Sequence, residues 1–506
     1  MTAPQPIRSI VIVGGGTAGW MAAAAFSRLA RTGVKISLVE SDAIGTVGVG
    51  EATIPPIRNF NGLLGIDENE FIAKTQGTLK LGIDFVGWTR EGDRYFHPFG
   101  EFGFDIEGVK FHQFWRKLYE SGQAADIGEY NLCAMAMNLG RYQTPSPDPA
   151  SILSRMAYAY QFDASLYAAF LRDYAEKKGV VRHEGKVVHV PVRAEDGHIE
   201  AVVLEGERRI DGELFIDCTG FHALLIEETL GAGWESWAHW LQCDRAMAVP
   251  CESPEGGAIT PYTRSTARTA GWQWRIPLQH RMGNGYVYCS NDIADDQVRD
   301  DLLASLDGKP LRDPFIIKFE AGRRKKAWHK NCVALGLASG FLEPLESTSI
   351  HLIQTGISKL MALLPDTGFS AVERDEYNRL TDLQMEQVRD FIILHYHANE
   401  RRDGDLWRRV REMEIPETLS RKLDLFRNRG RFFRYEDELF AESSWIAVML
   451  GQGVMPAGWD PLADTIDPAQ VRHTLDRVRM LFAKTAQSMP RHEEWLARNA
   501  PARRMA

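Results

Sequence analysis

The apolar run Ile10-Val11-Ile12-Val13 leads directly into Gly14-Gly15-Gly16-Thr17-Ala18-Gly19, and an alanine-rich stretch from Met21 to Leu29 follows. Strand, tight turn and helix stand in the order that a βαβ dinucleotide-binding unit requires, which separates the motif from a chance cluster of glycines. Gly14 permits the turn, Gly16 lets the backbone approach a diphosphate, and Gly19 lets the helix pack on the strand. The helix N-terminus then faces the anion. A second apolar strand, Val34 to Val39, ends at Glu40. A carboxylate there accepts hydrogen bonds from a ribose diol, which favours the unphosphorylated adenosine ribose of FAD or NAD.

Two later segments tip that choice towards FAD. Glu213 to Gly220 is a short apolar strand ending in an acid and a glycine, and Asn331 to Ala338 is another ending in small residues. A glutathione-reductase-like FAD module uses such an N-terminal βαβ unit, a mid-chain strand and a late strand. From Ser370 onward the character changes: Glu376 to Ala398 and Asp467 to Ala500 carry helical spacing with charged faces, and Asp467-Pro468 reads as an N-cap followed by a first-turn proline. The expected fold is α/β (α+β): a Rossmann-type FAD-binding module over 1–365 and a mostly helical, substrate-side part over 366–506. An aromatic-rich insertion at about 88–160 faces the same site. Without a low-complexity linker or internal repeat, the chain is expected to form a single compact unit.

Composition excludes several partners. The 506 residues hold 59 basic and 68 acidic side chains, a net charge of −9, and no basic block that could track a phosphate backbone. Nucleic acid is therefore not an expected partner. Cys133, Cys218, Cys243, Cys251, Cys289 and Cys332 are scattered without metal-ligand spacing, so they read as reduced core thiols in the cytoplasm, and no metal site is expected. No export signal and no apolar run of membrane-spanning length is recognised.

Further motifs carry a family resemblance over essentially the whole length. They are Gly14 to Gly19, the segment Gly48-Val49-Gly50-Glu51-Ala52-Thr53-Ile54-Pro55, Lys80 within Gly77 to Gly82, Trp272-Gln273-Trp274-Arg275-Ile276-Pro277, and Leu345-Glu346-Ser347-Thr348-Ser349. In this order they resemble the flavin-dependent halogenases of the tryptophan-halogenase family. The resemblance implies reduced FAD delivered by a separate flavin reductase, with dioxygen and a halide ion as co-substrates. A flavin hydroperoxide oxidises the halide, and hypohalous acid travels through the protein to a small aromatic substrate.

Roles follow from the resemblance residue by residue. Lys80 matches the lysine that either forms a haloamine or holds hypohalous acid by a hydrogen bond; an amine suits both. Periodicity alone makes it a surface lysine. Glu346 matches the glutamate that orients the halogenating species or accepts the ring proton, and Ser347 a residue that positions the lysine. Thr348 and Ser349 match the halide site, although the family commonly has glycine at the second position; the pair also reads as a helix N-cap before Ile350. Cofactor contacts are implied at Gly14, Gly16, Thr17, Ala18, Gly19 and Glu40, at Val49, Gly50 and Ala52 in a strap along the flavin, and at Leu337 and Ile350. Trp272 and Trp274, with Ile276 and Pro277, form the wall separating flavin from substrate. His97 and Phe99 match the pair that sandwiches a flat ring.

The substrate end departs from the family. Tryptophan-specific members clamp the amino acid with adjacent tyrosines and a glutamate, whereas Phe432 to Trp445 here is compact and lacks adjacent tyrosines. The expectation is a more open pocket for indole or another electron-rich arene, with Trp445 as a stacking partner. Tryptophan itself, a flavin monooxygenase, and a flavin-binding scaffold without catalysis are the competing readings. Oligomeric state is not legible.

Overall fold

The computed structural model describes residues 4–45, 50–254 and 256–502. They divide into two compact units, each assembled from three chain segments: 1–76, 162–241 and 318–386 in the first, 77–161, 242–317 and 387–506 in the second.

In the first unit, six strands lie in the order Trp328–His329, Cys332–Ala334, Leu214–Asp217, Ser9–Val13, Lys35–Glu40, Val181–Glu184. All neighbours are parallel except the first pair. Parallel strands are covered on both faces and so read as unbroken apolar runs; Ile10, Ile12, Leu214 and Ile216 have no exposed surface. The helix Thr17–Phe26 is buried from Gly19 to Phe26, as its alanines suggest. The helix Ala164–Glu176 starts at Asp163, whose carboxylate accepts from Ser165 N and Leu166 N. The two strands expected within 213–220 and 331–338 are those at 214–217 and 332–334. Asn331 locks them together, donating to Ile199 O and Glu213 O at 2.9 Å and accepting from Ile199 N at 2.9 Å.

The second unit is built on a seven-stranded sheet ordered Phe315–Lys318, Arg245–Cys251, Met282–Tyr288, Gly271–Pro277, Thr263–Arg268, Gly82–Val86, Arg94–Pro98. Thr263–Arg268 and Gly82–Val86 run parallel; the strands on either side pair antiparallel. Asp84, with no exposed surface, binds Arg94 at 2.6 Å on one neighbouring strand and Arg264 at 2.8 Å on the other. The tail adds the helices Asp405–Glu412, Glu417–Arg429, Glu442–Gly451, Pro468–Ser488 and His492–Asn499.

Within 242–317, the strand Thr263–Arg268 hydrogen-bonds to Gly82–Val86. One expectation changes. The helical span expected over 467–500 is two helices, broken at Pro490, which has no N–H to continue the ladder. Its start is as expected: Asp467 accepts from Ala469 N at 3.0 Å, with proline in the first turn. The six cysteines are all buried and free. Among the described residues no helix is long and apolar enough to cross a membrane, and no cluster of His, Cys, Asp or Glu is placed to hold a metal ion.

Asp84→Ala strips both arginines of their shared carboxylate, and removing one partner of a buried ion pair costs about 3 kcal/mol. The expected result is a Tm lower by roughly 5 °C in differential scanning calorimetry; an unchanged Tm would contradict the role given to Asp84.

Candidate active site

The glycine-rich turn lies in the first unit. Gly14 has φ +113°, and a Cβ on it would stand 2.2 Å from Cys218 O; one on Gly19 would stand 1.8 Å from Gly14 O. Both positions exclude a side chain. Gly16 differs: a Cβ there would meet nothing within 4 Å, and the residue caps the helix Thr17–Phe26 without a side-chain hydrogen bond. Uncapped first-turn N–H groups beside open space, at half-buried Thr17 and Ala18, fit the diphosphate of a dinucleotide. Glu40 is already engaged. Arg182 and, at 3.6 Å, Arg172 hold one carboxylate oxygen, and Trp20 Nε1 donates to the other at 3.3 Å. The long tryptophan contact leaves that oxygen capacity for a further donor. By contrast, buried Asp217 is saturated: it accepts from Thr219 N at 2.9 Å, Thr219 Oγ1 at 2.7 Å, and Leu225 N and Ile226 N at 2.8 Å. It staples the loop after its strand and is not a cofactor ligand. Leu337 lies in the turn Gly336–Ala338, where a Cβ on Gly336 would come within 3.0 Å of Ala18 Cβ. Gly50 and Ala52 are buried on the short strand Gly50–Ala52; Gly48 and Val49 lie outside the described residues.

The segment that follows in this unit is unusual in its backbone. After the strand Gly340–Phe341, a single turn Pro344–Glu346 ends at Ser347 with φ +59°, a left-handed conformation that a non-glycine residue adopts at a cost. Glu346, Ser347 and Thr348 are buried. The helix Ser349–Ala362 then begins without the expected side-chain cap: Thr348 is helical in backbone and makes no capping bond, and its Oγ1 is buried without a hydrogen-bond partner among the described residues. Ser349 is half-buried and Ile350 buried. One helical face continues this polar row, because His351 Nδ1 and Gln354 Nε2 are also buried and unpartnered. Burial pulls the His351 pKa down to about 4, so the ring is neutral. An uncapped first turn with an idle hydroxyl and no acidic residue is suited to a small anion. Sequence reading missed His351 and Gln354, because Thr355, Ser358 and Lys359 on the same helix leave them looking like ordinary polar positions.

In the second unit, Lys80 ends the strand Thr78–Lys80, which pairs antiparallel with Ala159–Asp163. Thr78 Oγ1 donates to Pro277 O at 2.7 Å, and Leu79 N donates to His492 Nε2 at 3.1 Å. Lys80 has no exposed surface, and its Nζ lies 5.5 Å from the centroid of Phe99. The hairpin register produces that meeting: Gly82 pairs with Pro98, Ile83 with His97, and Phe99 N donates to Leu81 O at 2.8 Å. His97 is buried, with Phe391 at 5.8 Å and Phe440 at 6.5 Å between ring centroids. Trp272 and Trp274 lie on one strand with centroids 6.2 Å apart, and Ile276 and Pro277 continue it. The strand opposite gives way for Trp274: a Cβ on its partner Gly285 would stand 2.1 Å from the indole. Trp445 is fully enclosed in the helix Glu442–Gly451, with Phe391 at 4.8 Å and Phe432 at 5.5 Å.

Comparison with known proteins covers the same span. The family model described as tryptophan halogenase matches residues 9–468. Tryptophan 6-halogenase SttH of Streptomyces toxytricini is 33% identical over 96% of this chain and 97% of its own. Among solved structures, the flavin-dependent halogenase Xcc4156 from Xanthomonas campestris superimposes with a TM-score of 0.95 at 48% identity, covering 99% of this chain and 100% of that one. BrvH, a flavin-dependent halogenase from Brevundimonas sp. BAL3, gives 0.95 and 48% over 98% and 99%.

His492 latches the Lys80 strand only when neutral, because Nε2 accepts from Leu79 N while Nδ1 faces Ile259 O at 2.8 Å. Burial depresses its pKa from 6.5 to about 4. The unfolded chain therefore binds the proton first, and stability falls as pH drops from about 6.5 to about 4, by up to about 3 kcal/mol from this group. Urea unfolding followed over that range is expected to show the loss, and His492→Gln to flatten it.

Proposed function

The chain belongs to the tryptophan halogenase family and is a flavin-dependent halogenase, and from that premise we propose that it halogenates a small electron-rich arene, indole or an indole derivative. Gly14, Gly16, Thr17, Ala18, Gly19 and Glu40, with Gly50, Ala52, Leu337 and Ile350, would hold FAD. When bound, reduced by a separate flavin reductase and met by dioxygen, FAD would supply the oxidising equivalent that turns halide into hypohalous acid. Everything else falls to the chain's own side chains.

Thr348 and Ser349 receive the halide at the uncapped helix start, where first-turn N–H groups and the idle Thr348 hydroxyl replace its hydration. Trp272 and Trp274, with Ile276 and Pro277, wall off the arene, so that the oxidant reaches halide rather than the ring. Lys80 carries the electrophilic halogen, as a haloamine or as hydrogen-bonded hypohalous acid. His97 and Phe99 hold the arene flat. Attack by the ring carbon makes a cationic ring that loses its proton, and Glu346, with Ser347 beside it in sequence, takes that proton. The observation that carries the reading is Lys80 itself: a side-chain amine without exposed surface, on a three-residue strand, 5.5 Å from an aromatic ring. Trp445 serves as an enclosed wall of the arene site. L-Tryptophan as substrate is the second reading, favoured by the names of the curated relatives such as SttH.

The test is an arene panel with indole and L-tryptophan, supplied with FAD, a flavin reductase and either bromide or chloride, and read by mass spectrometry. The expected product is a monohalogenated indole, bromide reacting faster because it is easier to oxidise; a hydroxylated product indifferent to halide would mark a monooxygenase. Lys80→Ala is expected to lose halogenation by roughly 10²–10⁴-fold while retaining FAD binding, and Glu346→Gln to slow turnover within the same range.

A further inference from the structure

The helix Glu417–Arg429 sends Lys422 into the second unit's interior, where it is buried. Its ammonium lies 4.6 Å from the centroids of Phe432 and Tyr435 and 4.9 Å from that of Trp445. Glu438, 1% exposed, accepts from Lys422 Nζ at 2.8 Å, and Phe433 O accepts at 3.3 Å. Three aromatic walls around one carboxylate is the arrangement by which proteins recognise a ligand's ammonium group. Here the occupant is tethered to the chain.

The box is continuous with the aromatic row described above. Trp445 is both its wall and the neighbour of Phe391, which stacks on Phe440 at 3.9 Å, and both phenylalanines flank His97. Two polar atoms of the box are buried without a partner among the described residues: Glu438 Oε1, a free acceptor, and Trp445 Nε1, a free donor. The seated ammonium therefore leaves one carboxylate oxygen and one indole N–H of the box unmatched. Tyr435, by contrast, is 46% exposed, so one wall opens towards solvent.

We propose that Lys422 is a specificity-determining residue: its ammonium fills, from within the chain, a box that would otherwise receive the ammonium of a cationic arene. Resting on the reading that the arene lies beside His97 and Phe99, this restricts the substrate class to arenes without an aminoalkyl cation directed at that end. An incoming ammonium meets an equal charge already seated on the same carboxylate, and two like charges buried beside one carboxylate are strongly disfavoured. A neutral ring keeps its contacts.

Lys422→Ala in the full-length protein vacates the box, and Lys422→Met removes the charge while keeping the stem's volume. Two readouts apply. In thermal shift, ethylammonium chloride is expected to raise the Tm of Lys422→Ala above its value in equal sodium chloride, with no such rise in the unmodified protein or in Lys422→Met. In bromination with indole and tryptamine, the tryptamine-to-indole ratio of kcat/KM is expected to rise by about tenfold or more in Lys422→Ala and to a smaller extent in Lys422→Met. An ethylammonium response no larger in Lys422→Ala than in the unmodified protein, or an unchanged ratio, overturns the proposal. If Lys422→Ala does not fold even in ethylammonium, the ratio measured on Lys422→Met decides in the same way. Should the unmodified protein brominate neither arene, the functional reading fails on its own, and the ethylammonium shift still decides the occupancy of the box.

Discussion

Asp84 sets the register of the second unit's seven-stranded sheet. It has no exposed surface, and its two oxygens reach arginines on both flanking strands, Arg94 and Arg264. A strand that slips by one residue turns every side chain to the opposite face. In that event Ile83 would lose His97 as its partner, Phe99 would leave the neighbourhood of Lys80, and Trp272 and Trp274 would sit opposite different residues. The pairings of Thr263 with Ile83 and of Trp274 with Gly285 belong to the same sheet, and one buried carboxylate ties three of its strands together. Buried ion pairs add little net stability but can specify arrangement, and this one is placed to specify register.

The first unit solves a different problem, the presentation of bare backbone. Gly14 and Gly19 are pressed against carbonyl oxygens and admit no side chain, while Gly16 faces open space. Asp217 consumes its own charge in four local hydrogen bonds, holding the loop after its strand. At Ser347 the chain accepts a left-handed residue without glycine, and the helix that follows starts uncapped. The left-handed Ser347 and the Thr348 hydroxyl, buried without a partner among the described residues, each cost stability that the surrounding packing offsets.

How much of this the sequence discloses depends on range. The Gly14 to Gly19 unit is legible because its strand, turn and helix are contiguous, and Asp467-Pro468 because a cap is local. Pro490 is equally local: without an N–H it breaks the last helical span. Lys80 is different: on a three-residue strand it has no periodicity, and its burial comes from partners far along the chain, so only its match to a family motif singles it out. The membership of 242–317 is illegible for a related reason, since a strand does not reveal which sheet it will join. His351 and Gln354 look like ordinary polar helix positions until the neighbours that bury them are in place. The Lys422 box joins a helix to a loop and to Trp445, and no local pattern announces it.

The segmented construction has a kinetic consequence. His97 meets Phe391 and Phe440, and Leu79 meets His492, so the second unit closes around contacts separated by some 300 to 400 residues. Non-local contacts of this kind form late, after a large loop-closure entropy has been met. During synthesis the central strands emerge well before the helices that complete their unit, and their apolar faces wait uncovered in the meantime. Expression yield of this chain should therefore depend on temperature and chaperone supply more steeply than its final stability would suggest, and a truncation within the last helices should be felt first as aggregation of the nascent protein.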